Sequence, residues 1–355
     1  MIERAPGVVK LFGEHAVVHN RTALAAAVSV FASASIERNG GSDLVIYLND
    51  YGGKSVSLSR GMLENIYDAY SSRESIEGYR QKVSMIDSDF LPYITIAARL
   101  YGKFGISAFG NDVRISSEIA KQRGLASSAA CSTAFTKAVL NNSSAALPDD
   151  SIIDVARDGE RVVHGNENAG KVDVPPSYYG GIVRISKDGV FPIESVDGLK
   201  LILIDTGPKK STKETVGNVT RLIKSDEGAA NALFDQIDEC ARRGIDSLMN
   251  NDMESLGACM YRNQELLEKL GVSSEGIEAA VGISRQTGIL GAKLSGGGGG
   301  GIVVALPNGM VSGEFNRMIK ENGFSVEDAN IYHANNTKRA SVGSAVIDRK
   351  QKSTT

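Results

Sequence analysis

Tryptophan is absent from this chain, and aromatic residues make up only 6% of it. Stacking platforms for nucleic-acid bases are therefore not expected. Charge of one sign is missing too. The formal net charge is −3 over 355 residues, so no basic field points to nucleic acid or to an anionic membrane. The cysteines are few: Cys131, Cys240 and Cys259 are scattered, with no CxxC or Cys/His cluster. That argues against a disulfide framework and a zinc site, and makes reducing cytoplasm the expected setting. No apolar run has the length needed to cross a bilayer. The N-terminal MIERAPGVVKLFGEH carries charges where a signal peptide needs an apolar core. What remains is an ordinary globular composition, 42% hydrophobic and 23% charged, with length enough for two domains.

Glycine, by contrast, is concentrated in one place. GAKLSGGGGGGIVVAL, residues 291–306, holds six in a row, Gly296 to Gly301. Each loses more backbone entropy on ordering than any other residue would. A flexible linker would have polar neighbours rather than the strand-like IVVAL. The alternative is backbone that must come very close to something, with no side chain in the way.

The coarse pattern is mixed α and β. VVKLF (8–12) reads as a strand, and TALAAAVSVFASASIE (22–37) as buried strands. DLVIYL (43–48) and KSVSLS (54–59) suit a strand pair around the turn NDYGG. Residues 88–104 read as a loop and helix, 112–120 as a strand, and 127–142 and 151–165 as helices. Strands follow at 180–186 and 199–207, then helical stretches at 212–249, 252–270 and 273–288. KLSGGGGGGIVVALP and FSVEDANIY supply late strands, and the polar tail IDRKQKSTT is expected to fray. The polar stretch SKDGVFPIESVDG suggests a division into domains 1–186 and 187–345, with a tail 346–355.

Three further segments carry chemistry. RGLASSAACSTAF (123–135) places Gly124 and small residues before a helix that opens with two serines. A helix start offers unpaired N–H groups and partial positive charge, so a phosphate chain can approach it closely. Taken alone, Ser127 or Ser128 reads as readily as an N-cap before alanine filler. The Walker pattern GxxxxGK[ST] is absent. APGVVKLFGEHAVVHN (5–20) runs a strand into a turn where Glu14 and His15 stand side by side; alone, they read as loop residues. GERVVHGNENAGKVDVPPSYYGG (159–181) puts Glu160 and His164 on one helix face, with Asp173 in a loop bounded by prolines. A carboxylate so placed suits a general base or a metal ligand, and equally a turn.

In combination, APGVVKLFGEHAVVH, RGLASSAACS and GAKLSGGGGGG resemble the three ordered motifs of the GHMP kinases, and within them are most similar to the mevalonate kinases. The likeness runs from residue 4 to about residue 305. It implies an α+β fold of two domains with the active site in the cleft between them, and a left-handed βαβ crossover in the first. It implies binding of ATP and Mg²⁺, with Gly124, Leu125, Ala126, Ser127, Ser128 and Ala129 in the phosphate loop. Ser128 and Glu160 match the metal ligands, and Asp173 the aspartate that takes the proton from the acceptor hydroxyl. Glu14, His15 and Thr212 match the acceptor pocket, with Gly296 and Gly297 as a wall over the substrate.

Three departures bear on the acceptor. Val8 stands where the family has the lysine of APGK; Lys10, two residues on, projects to the same strand face and is the expected replacement. HGNENAGKVDVPP has two more residues before Asp173 than the family pattern HGxPSGxDN. Ala126 replaces the glycine of GLGSSAA. The leading expectation is phosphorylation of the C5 hydroxyl of mevalonate, a small-molecule reaction with no membrane or nucleic-acid partner, in a protein that family likeness suggests is a homodimer. An acceptor that already carries phosphate, mevalonate 3-phosphate or phosphomevalonate, is the alternative; Lys171 and the Lys209–Lys210 pair could meet its charge. A non-catalytic sensor would be expected to lose Ser128, Glu160 or Asp173, and all three are present.

Overall fold

Small and β-branched side chains fit a pleated surface, and ALAAAVSVFASASIER forms one strand of 16 residues rather than several. The computed structural model describes residues 1–119, 123–193, 199–207 and 212–334; the side chains of Tyr51, Thr212 and Lys213 lie outside that description. Strands β1 (Ile2–Phe12) and β2 (Ala23–Arg38) pair antiparallel, and β3 (Leu44–Leu48) and β4 (Lys54–Leu58) form the hairpin expected around NDYGG. Helices α1 (Arg60–Ser71), α2 (Ile76–Lys82) and α3 (Leu91–Phe104) lead to β5 (Asn111–Ser117). Next come α4 (Ser127–Asn142), α5 (Asp149–His164), α6 (Val174–Tyr179), β6 (Ile182–Ser186) and β7 (Gly189–Ile193). The second half holds β8 (Lys200–Asp205), α7 (Thr212–Ser225), α8 (Glu227–Met249), α9 (Met253–Lys269) and α10 (Glu275–Gln286). It ends with β9 (Gly291–Leu294), β10 (Ile302–Leu306), α11 (Gly313–Glu321) and β11 (Ser325–Asn330).

The first sheet has the order β4-β3-β5-β2-β6-β7, with β1 also pairing β2. The length of β2 explains this: Ala32–Arg38 pair with β5, while Ala23–Ala26 pair with β6. The second sheet, β11-β8-β10-β9, is antiparallel throughout. The change of sheet falls between Ile193 and Lys200. The stretch after Ser186 is polar because it forms the turn and partly exposed edge strand of the β6–β7 hairpin. Residues 194–198 and the tail 335–355 lie outside the described residues.

Local chemistry accounts for other departures from the sequence pattern. The helical stretch 212–249 divides at Asp226, whose carboxylate accepts the Ala229 N–H and caps α8. Helices α1, α2 and α11 are short and begin on serine N-caps, Ser59, Ser75 and Ser312. One hydrophobic core runs through both sheets, from Phe12 and Leu24 to Ile204, Val304 and Phe315. Phe12 sits against α8 at Gly244, where a β-carbon would come within 2.4 Å of its ring. Beyond β11 the chain returns to the first sheet: the Tyr332 N–H donates to the Ala27 carbonyl at 2.9 Å. No helix among the described residues is long and apolar enough to cross a membrane.

Candidate active site

The three motif segments meet. Strand β1 donates from the Val8 N–H to the Leu125 carbonyl at 3.0 Å, and from the Lys10 N–H to Ser295 Oγ at 2.9 Å. The loop before α4 lies directly on the glycine run. A β-carbon on Gly124 would come within 2.9 Å of the Ser295 carbonyl, and one on Gly301 within 2.8 Å of the Arg123 carbonyl. The Ile302 N–H donates to that same Arg123 carbonyl at 3.0 Å, and the Arg123 guanidinium pairs with Asp205 on β8. The six glycines form the connection of the β9–β10 hairpin. At Gly298, with φ 78°, a β-carbon would lie 1.9 Å from the Val272 carbonyl. The close approach that demands glycine at 298 and 301 is therefore to the chain's own backbone.

At the head of α4, Ala126 takes φ 54° and ψ 42°. An L-residue in this left-handed region costs roughly 1–2 kcal/mol, and glycine would not. The N–H groups of Ser127, Ser128 and Ala129 belong to the first helical turn, where no intrahelical acceptor exists. The side chains of Leu125 and Ala129 are buried, so their contribution to an anion site is through main-chain amides. Ser127 Oγ lies 3.2 Å from Ser117 Oγ on β5.

Lys10 leaves β1 on the face expected for it, and its ammonium lies 3.0 Å from Asp173 Oδ1 and 3.2 Å from Oδ2. Burial opposes the ammonium charge, but Asp173, with Glu14 and Glu160 farther off, overcomes this and raises the Lys10 pKa. Val8, at the place of the family lysine, is 1% exposed and packs with Ala25, Val172 and Val183. Asp173 stands at the N-terminus of α6, whose Pro175 and Pro176 are buried and whose Ser177 hydroxyl donates to the Pro6 carbonyl at 2.8 Å. Both partners of the pair are thus held by β1.

Glu160 is 2% exposed, so it is not an exposed helix-face carboxylate. Its Oε2 lies 3.5 Å from His164 Nε2, and this contact raises the His164 pKa. Its Oε1 is buried with no hydrogen-bond partner. Ala129, Ala156 and Val174 share one apolar cluster, which sets the head of α4 beside α5 and the residue after Asp173. Among the described residues no group of three or more His, Cys, Asp or Glu could hold a metal by itself. One buried carboxylate oxygen without a partner and one serine hydroxyl suit a hard cation that takes its other oxygens from phosphates and water.

Glu14 and His15 lie beside the glycine run. His15, at φ 60°, brings Nε2 to 3.2 Å from the Gly297 carbonyl. Glu14 pairs with Lys293 of β9, a residue that sequence reasoning missed: both side chains are buried, with Nζ 2.5 Å from Oε1. Lys293 also donates to the Leu294 carbonyl at 2.6 Å, while Glu14 Oε2 is buried without a partner. The available signal was a lysine placed mid-strand between apolar neighbours. The Thr212 side chain and the Lys209–Lys210 pair lie outside the described residues.

Comparison with known proteins agrees with this convergence. The family model for the GHMP kinases N terminal domain matches residues 92–181, and that for the GHMP kinases C terminal matches residues 245–323. The chain is 30% identical to the mevalonate kinase of Aeropyrum pernix, over 85% of this chain and 87% of that one. The chain belongs to the GHMP kinase family. This kinase is also 30% identical to the mevalonate kinase of Methanocaldococcus jannaschii, over 87% of this chain and 92% of that one. The solved Methanococcus jannaschii mevalonate kinase superposes with a TM-score of 0.76 at 25% identity, covering 94% of this chain and 98% of that chain. The kinase is therefore an ATP-dependent phosphotransferase of two-domain α+β architecture.

Proposed function

We propose that this kinase transfers the γ-phosphoryl group of ATP to the C5 hydroxyl of mevalonate. The observation that carries the reading is the Lys10–Asp173 pair at 3.0 Å, on a strand bonded both to the loop before α4 and to Ser295. The acceptor follows from two relatives at 30% identity, both mevalonate kinases.

In this reading the main-chain amides of 124–129 hold the triphosphate at the positive end of α4. Asp173 orients the primary hydroxyl and takes its proton. The hydroxyl oxygen attacks the γ-phosphorus in line, and the bond to the β-phosphate oxygen breaks to release ADP. Lys10 holds the Asp173 carboxylate in place and offsets charge on the equatorial oxygens of the transferred group. Val8 cannot take this part, because its side chain is enclosed in the core. The ring of His15 would meet the acceptor beside Gly296 and Gly297, while Glu14, enclosed with Lys293, would shape that wall from behind. Ser128 and Glu160 would hold Mg²⁺, which supplies neutralisation of phosphate charge when bound. The proposal includes a reducing, cytoplasmic setting, supported by three free cysteines that are all buried, and a homodimer, supported by family likeness.

A phosphorylated acceptor is the second reading, favoured by exposed Lys171 in the lengthened loop. Arg157 and Arg161 beside that loop donate instead to backbone carbonyls and to Asp154 and Asp158, which leaves Lys171 little help in binding a phosphate. ATP-dependent turnover of mevalonate, mevalonate 3-phosphate and mevalonate 5-phosphate, assayed side by side, decides between them. Mevalonate is expected to give the highest kcat/KM; preference for either phosphate ester would overturn the reading.

A further inference from the structure

The geometry points to Arg157, supported by Arg161, as a positioning residue that sets the place of the Asp173 carboxylate by gripping the backbone of the loop before it. This rests on the role proposed above for Asp173. Arg157 Nε donates to the Ala169 carbonyl and Nη2 to the Glu167 carbonyl, both at 3.3 Å. Arg161, one helical turn on, donates from Nε to the same Glu167 carbonyl at 3.3 Å. The two guanidiniums therefore hold two carbonyls of the loop that runs from Gly165 to Asp173. Between grip and carboxylate lies Gly170, at φ 72°, where a β-carbon would be 2.9 Å from Cβ and Cγ of Glu160 and 3.2 Å from Cγ of Arg157. The loop is thus pressed onto the helix that carries Glu160, and three residues later its Asp173 meets Lys10.

The grip has a firm base. Arg161 Nη1 lies 2.5 Å from Asp158 Oδ1 and Nη2 2.8 Å from Asp154 Oδ1. Asp158 is fully buried and also takes the Tyr70 hydroxyl and the Arg99 guanidinium, from α1 and α3. Arg157 is the more dispensable member for folding, since its nearest carboxylate, on Asp154, is 3.9 Å away. What Arg157 does is span two carbonyls with a planar fork, which a lysine cannot do. A loop two residues longer than the family pattern has more freedom to lose, so restraint from outside it matters more.

The test compares Arg157→Met and Arg157→Lys, each also in the Asp173→Asn background. Arg157→Met is expected to lower kcat about 10- to 100-fold, the scale of a small misplacement of a reacting group, with KM for ATP changed less than about two-fold. Arg157→Lys should recover little of that loss. In the Asp173→Asn background Arg157→Met should cost less than about two-fold, because a positioning residue acts through the group it positions. Amide hydrogen exchange at 166–172 should rise about ten-fold in Arg157→Met, with the rest of the chain unchanged. Turnover within two-fold of wild type, an equal loss in both backgrounds, or faster exchange throughout the molecule would overturn the inference. A wild-type enzyme inactive on all three acceptors would sink the proposed function, while the exchange result still decides whether the grip exists.

Discussion

Two lysine–carboxylate pairs start from the same short stretch of chain, and they differ in almost everything else. Lys10–Asp173 is partly open, with side chains 22% and 21% exposed, and the lysine touches both carboxylate oxygens. Lys293–Glu14 is sealed, with side chains 0% and 1% exposed, and one carboxylate oxygen is left without a partner. In the first pair the surroundings raise the lysine pKa; in the second, burial lowers it despite the carboxylate. An accessible pair can exchange a proton and meet substrate. An enclosed pair fixes backbone, here β9 against the turn after β1, at a desolvation cost that only an intact pair offsets.

That contrast can be broken experimentally, and the largest effect falls on the open pair. Asp173→Asn is expected to lower kcat on the order of 10²–10⁴-fold, with a much smaller rise in KM, in steady-state assays; near-normal kcat would remove Asp173 from the chemistry. Next comes the sealed pair, where Lys293→Met strands a buried carboxylate and should destabilise the fold by about 3–5 kcal/mol in urea unfolding. Adding Glu14→Gln to that variant should restore part of the loss, which an exposed, weak pair would not do. Lys10→Met should leave stability close to wild type and reduce turnover; full turnover would show that Lys10 does not replace the lysine missing at Val8.

The motifs were legible because each depends on local chemistry: a glycine run, a serine-headed helix, a strand ending in GEH. The strand register that carries Lys10 to the face of Val8 could also be read, since side chains alternate along β1. Lys293 could not. Its apolar neighbours in GAKLSG hint at burial, but nothing local identifies its partner, because the carboxylate that compensates it lies 279 residues away. The β6–β7 pairing was hidden for a related reason: polarity marks exposure, and an edge strand is exposed without being a linker. The meaning of Ala126 was hidden too, since a left-handed backbone leaves no trace in composition.

Two smaller effects sharpen the picture. Ala126→Gly should raise stability by about 0.5–1 kcal/mol, the relief of left-handed strain less the added unfolded-state entropy; thermal unfolding measures it, and a destabilised variant would contradict the strain. The smallest effect concerns Asp154. Although burial would raise its pKa, Arg161 and Arg99 hold it down to about 2. Its folded value lies below its unfolded one, so its contribution is complete above about pH 4 and fades as pH falls toward 2. Asp154→Asn should flatten that acid limb of the stability profile.

The core that joins the two sheets has a consequence for how the molecule comes apart. With Phe12 lodged in a notch of α8 and the chain crossing back after β11 to pair with Ala27, neither half owns a complete interior. The lobes therefore melt together, and a polypeptide severed between Ile193 and Leu199 would yield two fragments that fold only in each other's company.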